Sequence, residues 1–86
     1  MQFLKEENRI YAMNNNNETI AEVTFYEIEN GVYNIDHTFV DESLRGQGVA
    51  GKLVEMAVEE IEKRGGKVEA TCSYAKKWLE KHNNSI

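Results

Sequence analysis

The chain has 86 residues, a formal net charge of −5 and a single cysteine. A chain this short is expected to form one domain, residues 1–86, with a modest core. The acidic balance excludes the basic face of a general nucleic-acid binder. The lone cysteine favours a reducing cytoplasm, and no stretch approaches the ~20 apolar residues of a membrane-spanning helix.

The first half of the sequence predicts an antiparallel meander of three strands. Residues 8–13 form a short strand, and the asparagine run 14–17 suits the following turn because Asn tolerates positive φ. Thr19–Glu29 is rich in β-branched and aromatic residues, which predicts a longer strand. The Asn30-Gly31 pair is a strong hairpin signal, and Val32–Val40 follows as the third strand.

The second half alternates helix and strand. Apolar residues recur at helical spacing between Val49 and Ile61, and the paired glycines 65–66 supply the C-terminal cap of this long helix. Residues 67–72 predict a fourth strand, and residues 73–83 predict a shorter second helix. The predicted order β-β-β-α-β-α is an α+β fold. The meander is followed by an α/β segment, in which the third strand, the long helix and the fourth strand form a βαβ unit with parallel strands.

The segment SLRGQGVAGKL at residues 43–53, between the third strand and the long helix, fits three phosphate-binding patterns. The pattern G-x-x-x-x-G-K needs Ser or Thr next, where this chain has Leu53. The pattern G-x-G-x-x-G belongs to a dinucleotide-binding fold, which needs several βαβ units rather than one. The pattern R-x-x-G-x-G/A, at Arg45, Gly48 and Ala50, agrees with the predicted elements, and free N–H groups at a helix start attract an anion.

This loop, the order of elements and the Cys72-Ser73-Tyr74 segment make the sequence resemble the GNAT superfamily of acetyltransferases. The resemblance is closest to the minimal branch of small, stand-alone N-acetyltransferases. It implies a truncated GNAT fold, without the helices that normally follow the first strand and without the final strands. It also implies transfer of an acetyl group from acetyl-coenzyme A (acetyl-CoA) to an amine. The tail after His82 departs from relatives, because it lacks their proline.

The resemblance implies that backbone amides of the loop hold the pyrophosphate of acetyl-CoA. The pantetheine arm would lie between the third and fourth strands, and two lysines of the last helix are candidate contacts for the 3′-phosphate. A first helical turn without acidic residues is consistent with an anion there. The implied cofactor contacts are Phe39, Val40, Arg45, Gly46, Gln47, Gly48, Val49, Ala50, Cys72, Tyr74, Lys76 and Lys77.

Three residues are candidates for catalysis. Side chains alternate along a strand, so the odd-numbered residues from Tyr33 to Phe39, His37 included, are expected to share a face. That face would bring His37 and Cys72 to one cleft, where Cys72 can act as a thiolate nucleophile or His37 as a general base. The resemblance implies that Tyr74 protonates the departing thiolate. Structural packing is the alternative for each side chain.

The sequence leaves several alternatives open. The amine either attacks the thioester directly or receives the acetyl group from acetyl-Cys72. A non-catalytic CoA-binding regulatory module, a structural adaptor and a glycine-rich turn without a ligand are competing interpretations. Acidity favours a cationic acceptor, and the missing parts of the fold favour a protein or peptide. A monomer or weak homodimer is expected, with no metal, nucleic-acid or membrane partner.

Overall fold

A computed structural model of the chain describes residues 1–82. The elements in chain order are β1 (Leu4–Glu6), β2 (Arg9–Met13), β3 (Thr19–Glu29), β4 (Val32–Val40), α1 (Val49–Lys63), β5 (Lys67–Ala70) and α2 (Ser73–His82). A short 3-10 helix at Glu42–Leu44 lies between β4 and α1. The predicted α+β architecture is confirmed. In residues 1–82, no helix is long and apolar enough to cross a membrane.

The structure differs from the prediction in two elements, a strand that was not predicted and a strand that ends earlier. The sequence did not reveal β1, because its three residues are all exposed and carry no alternation of apolar side chains. The fourth predicted strand ends at Ala70 rather than Cys72, because the N–H groups of Thr71 and Cys72 both donate to the carbonyl of Ile35 and the chain turns into α2. The predicted end of the last helix at residue 83, like the tail after His82, lies outside the described residues.

The five strands form one sheet in the order β1-β2-β3-β4-β5. All neighbours are antiparallel except β4 and β5, which α1 joins as the crossover of a parallel pair. Both helices contribute side chains to the same core, which covers one face of the sheet. The largest fully buried side chains of this core are Phe25, Ile10, Ile35, Leu53, Ile61, Val23 and Val54.

Helices contribute no comparable cover to the opposite face of the sheet, called here the open face. Residues that alternate with the core residues along the strands lie on it. Three of its apolar side chains, those of Leu4, Tyr26 and Phe39, are 38%, 44% and 40% exposed. The resemblance to a GNAT fold that lacks its early helices agrees with this open face.

One extra residue interrupts β4. Ile35 lies opposite Phe25 and His37 lies opposite Thr24, so that Asp36 has no separate partner on β3. Two residues of one strand facing a single residue of its neighbour form a β-bulge. The bulge shifts the alternation of side chains in the second half of β4.

The bulge changes which residues face the helices. Thr38 lies opposite the buried Val23, whereas Phe39 lies opposite Glu22 and joins His37 on the open face. The expectation that the odd-numbered residues of β4 share one face is therefore wrong beyond Ile35. The sequence pattern of β4 predicts a strand without a bulge, and in such a strand all the odd-numbered residues would lie on one face.

Gly66, just after α1, is packed too closely for a side chain. A Cβ atom there would lie 2.7 Å from Cδ1 of Tyr33 and 3.1 Å from Cγ2 of Ile61. We expect Gly66→Ala to lower the free energy of unfolding by about 1–3 kcal/mol, the usual cost of overpacking, as measured by urea denaturation. In a Tyr33→Leu background the same change should cost much less. An equal cost in both backgrounds would contradict this steric cause.

Candidate active site

The strands β4 and β5 are joined over only part of their length. The parallel ladder pairs residues 32–35 with residues 67–70, whereas β4 continues to Val40. In the described part of the chain, the β5-facing edge of residues 36–40 therefore has no partner strand. The two strands separate beyond Ile35, as the resemblance implies.

Cys72 lies where the two strands separate. Its Sγ is 3.5 Å from Oγ1 of Thr38. Its carbonyl accepts a hydrogen bond from the N–H of Lys76, so Cys72 lies directly before the first residue of α2. Burial, the largest single influence, raises the pKa of the thiol. Hydrogen bonds from the Thr38 hydroxyl and from the backbone of Ala75, Tyr74 and Thr38 together outweigh it, so the pKa is lowered. The thiolate of Cys72 is thus more stable at this helix start than that of a free cysteine.

His37 does not share this cleft. It is exposed and lies opposite Thr24 on the open face, while the neighbouring Thr38 is the β4 residue that contacts Cys72. Adjacent residues of a strand point to opposite faces, so the bulge directs Thr38 rather than His37 toward the thiol. The predicted approach of His37 to Cys72 is therefore wrong. A role for His37 as a general base stays a prediction, now on the open face.

The loop before α1 is shaped by two local features. Asp41 Oδ2 accepts hydrogen bonds from the N–H and Oγ of Ser43, at 3.0 and 2.6 Å, which start the short 3-10 helix. These bonds, the side-chain one first, lower the pKa of the Asp41 carboxyl. Gly46 and Gly48 then adopt φ of 80° and 72°, a left-handed conformation that favours glycine. Together these features present the loop backbone to the end of β4.

The start of α1 offers backbone donors. Across residues 1–82, the backbone N–H groups of residues 46–51 donate to no protein acceptor, and the first turn has no acidic side chain. Gly48 is the N-terminal cap and supplies no side-chain hydrogen bond. Free N–H groups at the positive end of a helix dipole suit an anion such as a diphosphate.

A cavity of about 190 Å³ joins the loop to the end of β4 and to α2. The residues that line it are Val40, Leu44, Arg45, Gly46, Gly48, Val49, Ala50 and Tyr74. All except Leu44 are predicted cofactor contacts. Leu44 was missed because it belongs to the 3-10 helix, which carries no apolar repeat that a sequence pattern could reveal.

Not every predicted cofactor contact lies at this cavity. Gln47 and Lys76 are exposed and do not line it, and Phe39 lies on the open face. Lys77 lines a neighbouring cavity that shares Tyr74 with this one. Most of the cofactor contacts predicted on the loop thus line one cavity, whereas those predicted on β4 and α2 are divided among different surfaces.

The thiol of Cys72 lies further along the gap between β4 and β5 than the loop cavity does. Thr38, its partner, precedes Val40 by two residues on the same face of β4, a distance of about 7 Å in a strand. Cys72 likewise precedes Tyr74 by two residues. An elongated ligand held at the loop therefore meets Val40 and Tyr74 first, and Thr38 and Cys72 further in.

A larger cavity, of about 570 Å³, lies between α1, α2 and β5. Three glutamates, Glu55, Glu59 and Glu62, are among its lining residues. Their charge disfavours a diphosphate, so the smaller cavity at the loop is the better anion site despite its size. In the residues that the structure describes, no cluster of His, Cys, Asp or Glu could hold a metal ion.

The comparisons with known proteins agree with this geometry. The family model described as GCN5-related N-acetyl-transferase matches residues 9–85. The chain belongs to this family. The predicted membership of the GNAT acetyltransferases is confirmed, and so is acetyl-CoA as the donor that the family uses. No curated protein sequence matches the chain.

Solved structures support the assignment at different levels. A GCN5-like protein from Staphylococcus aureus is 39% identical, with a TM-score of 0.78, over 95% of this chain and 80% of that one. An acetyltransferase-like protein from Agrobacterium tumefaciens is 29% identical, with a TM-score of 0.66, over 93% of this chain and 57% of that one. A Mycobacterium tuberculosis protein in complex with CoA is 11% identical, with a TM-score of 0.71, over 90% of this chain and 48% of that one. At this identity, the likeness shows the fold alone.

Hydrogen bonding to Cys72 gives a testable pH dependence. We expect the pH midpoint of Cys72 alkylation by iodoacetamide to lie below that of free cysteine. Thr38→Val should raise it, because the hydroxyl that stabilises the thiolate is lost while burial remains. Cys72 is the sole cysteine, so the signal reports one site. Thr24→Val, which removes a hydroxyl bonded to Asp36 on the open face, is the control with no expected change. An unshifted midpoint in Thr38→Val would overturn the assignment.

Proposed function

We propose that the chain is an acetyl-CoA-dependent N-acetyltransferase in which the donor reaches from the α1 loop into the separation of β4 and β5. The observation that carries this proposal is the alignment of three features in one path. Free amides lie at the loop, Val40 and Tyr74 line the cavity beside it, and Cys72 lies beyond. An anionic end, an elongated arm and a thioester would occupy these positions in that order.

The unpaired edge of β4 suits the pantetheine arm. Backbone N–H and C=O groups of residues 36–40 lack a partner strand on that side in the described chain. Such groups need hydrogen-bond partners, and an extended ligand with amide groups can supply them as an added strand does. The arm would therefore lie along β4 and direct its thioester toward the bulge.

Direct transfer needs a neutral amine and an acid. The amine attacks the thioester carbonyl, an N–C bond forms and the bond from carbon to the CoA sulfur breaks. The departing thiolate then takes a proton. The Tyr74 hydroxyl suits that task, because it lies beside the start of α1, 3.4 Å from where a Cβ of Gly51 would be. The proton lost by the amine goes to a base or to water.

Transfer through Cys72 is favoured by the donors around its sulfur. The Cys72 thiolate attacks the thioester, a new C–S bond forms and the CoA thiolate leaves. An amine then forms the N–C bond, Cys72 leaves as its thiolate, and the proton lost by the amine goes to a base or to water. Hydrogen bonds from Thr38, Tyr74 and Ala75, rather than an imidazole, stabilise that thiolate. We therefore infer the covalent route, with direct transfer as the outcome that would replace it.

The acceptor is proposed to approach from the open face. Asp36 and His37 mark the bulge there, with the exposed aromatic side chains of Tyr26 and Phe39 on the same face. Asp36 accepts a hydrogen bond from Thr24 and forms no ion pair in residues 1–82. A carboxylate beside aromatic rings suits a cationic amine, such as a lysine of a protein or peptide.

A pair of substitutions at Ala50 tests the pyrophosphate site. Ala50→Glu places a negative charge in the first turn of α1, where it favours the helix dipole but repels a diphosphate. We expect it to weaken CoA binding at least about tenfold, roughly 1.4 kcal/mol, without lowering the melting temperature. Ala50→Gln, matched in size but uncharged, should bind CoA more tightly than Ala50→Glu. Isothermal titration with equal affinities for both variants would overturn the site.

Intact mass spectrometry tests the route. After mixing with acetyl-CoA, we expect one added acetyl mass on the wild-type chain, absent in Cys72→Ala and removed by neutral hydroxylamine, which cleaves thioesters. An unmodified wild-type chain, together with undiminished release of CoA thiol by Cys72→Ala in an amine panel, would show direct transfer instead. Binding of CoA without thiol release for any amine would favour a regulatory module.

A further inference from the structure

The open face has a cavity of its own, next to the bulge of β4. Its volume is about 410 Å³, which is within the range of roughly 300–1,000 Å³ that is usual for ligand pockets. Residues of the turn between β1 and β2 line it, together with Thr24 and Tyr26 of β3 and Asp36 of β4. Thr24 and Tyr26 alternate with the buried Val23 and Phe25, so their side chains lie on the open face. The proposed acceptor would therefore pass this cavity on its way to the thioester.

The lining of this cavity has an excess of negative charge. Three carboxylates, those of Glu6, Glu7 and Asp36, line it with a single guanidinium, that of Arg9. Arg9 is already engaged, because its Nε lies 2.7 Å from Oε2 of Glu22 and its Nη1 lies 3.7 Å from Oε1 of Glu6. Within residues 1–82, Glu7 and Asp36 form no ion pair. A ligand with a positive charge is therefore favoured there.

The side chains around that charge suit a guanidinium in particular. Asp36 Oδ1 accepts a hydrogen bond of 2.7 Å from Oγ1 of Thr24, which orients the carboxylate on the open face. In the described part of the chain, Asp36 Oδ2 accepts no hydrogen bond from a side chain. The ring of Tyr26 is 44% exposed. A guanidinium can donate to carboxylate oxygens and stack on an aromatic ring at the same time, which a compact ammonium group does less well.

A cation held in this cavity cannot be the group that is acetylated. Attack on the thioester needs a neutral amine, whereas a guanidinium stays charged in proteins. Asp36 precedes Thr38, the partner of the Cys72 thiol, by two residues, a separation of at most about 7 Å along a strand. An extended peptide spans the same distance in two residues, and the side chains of those two residues point to the same side.

We propose that this cavity binds an arginine side chain of the acceptor, two residues away from the lysine that is acetylated. The inference rests on the proposed function, because the position of the lysine depends on a thioester that lies beside Cys72. It makes the acceptor an extended segment of a protein or peptide with the pattern R-x-K or K-x-R. An isolated lysine or a small amine would leave the cavity unused and would be a poorer acceptor.

Release of CoA thiol from acetyl-CoA with synthetic peptides tests the proposal. Each peptide has one lysine and one arginine in an otherwise neutral sequence with blocked ends. In the near peptides the arginine lies two residues before or after the lysine, and in the far peptide it lies six residues away, so that all have the same net charge. We expect kcat/KM for the better near peptide to be about tenfold higher than for the far peptide, mainly through a lower KM, because a remote contact strengthens binding before and during the reaction alike.

Two variants separate local contact from the overall charge. Asp36→Asn removes the charge but keeps an oxygen that can accept from Thr24, and the ratio of near to far peptide should approach one. Glu29→Gln removes the same charge from an exposed residue of β3 that does not line the cavity, and it should keep the wild-type ratio. Melting temperatures check that both variants are folded.

The outcomes distinguish this inference from the proposed function. Equal kcat/KM of the wild-type chain for near and far peptides overturns the inference and leaves the proposed function intact. A ratio that persists in Asp36→Asn, or that falls equally in Glu29→Gln, also overturns it. A wild-type chain that releases no CoA thiol with these peptides or with any other amine overturns the proposed function as well.

Discussion

The extra residue of β4 at Asp36 determines which side chain of β4 contacts Cys72, and therefore where the proposed chemistry would take place. Up to Ile35, β4 is paired with β3 on one side and with β5 on the other, and the buried Ile35 lies opposite Phe25. The bulge then directs Thr38 toward the helices. The carbonyl of Ile35 accepts hydrogen bonds from the N–H groups of Thr71 and Cys72, which follow β5, and the ladder ends there just before α2. Without the bulge, Thr38 would lie on the open face, and the thiol would lose its partner on β4.

Charge divides the protein into two sides around that separation. Residues 43–52, which include the first turn of α1, carry no acidic side chain. The first acid of the helix, Glu55, is paired with Lys52 at 3.4 Å. This charge pattern suits the proposed binding of an anionic donor on the helix side, although the net charge is −5. On the open face, Asp36 lies near exposed aromatic rings and repels anions. In the proposed function, this charge distribution would direct an anionic donor and a cationic acceptor to opposite faces of one sheet.

The parts of the site that could be predicted are those specified by short stretches of sequence. Glycine at positive φ and the start of an amphipathic helix are local properties, so the pattern at Arg45, Gly48 and Ala50 located the loop cavity. Register is not local. Whether His37 or Thr38 faces the thiol depends on how β4 aligns with β3, and a one-residue shift exchanges the faces without changing the residue types. The sequence of β4 contains no signal for that shift.

The elements of the fold have different parts in the proposed donor site. Every donor contact proposed here lies between the bulge and the end of α2, in the unit formed by β4, α1, β5 and α2. The three earlier strands supply the buried surface that holds β4 in place, through residues such as Val23 and Phe25. They leave the acceptor side uncovered. If the acceptor binds the open face as proposed, selectivity for the amine would come from contacts that a large acceptor makes across that face, because a small amine would meet few side chains there.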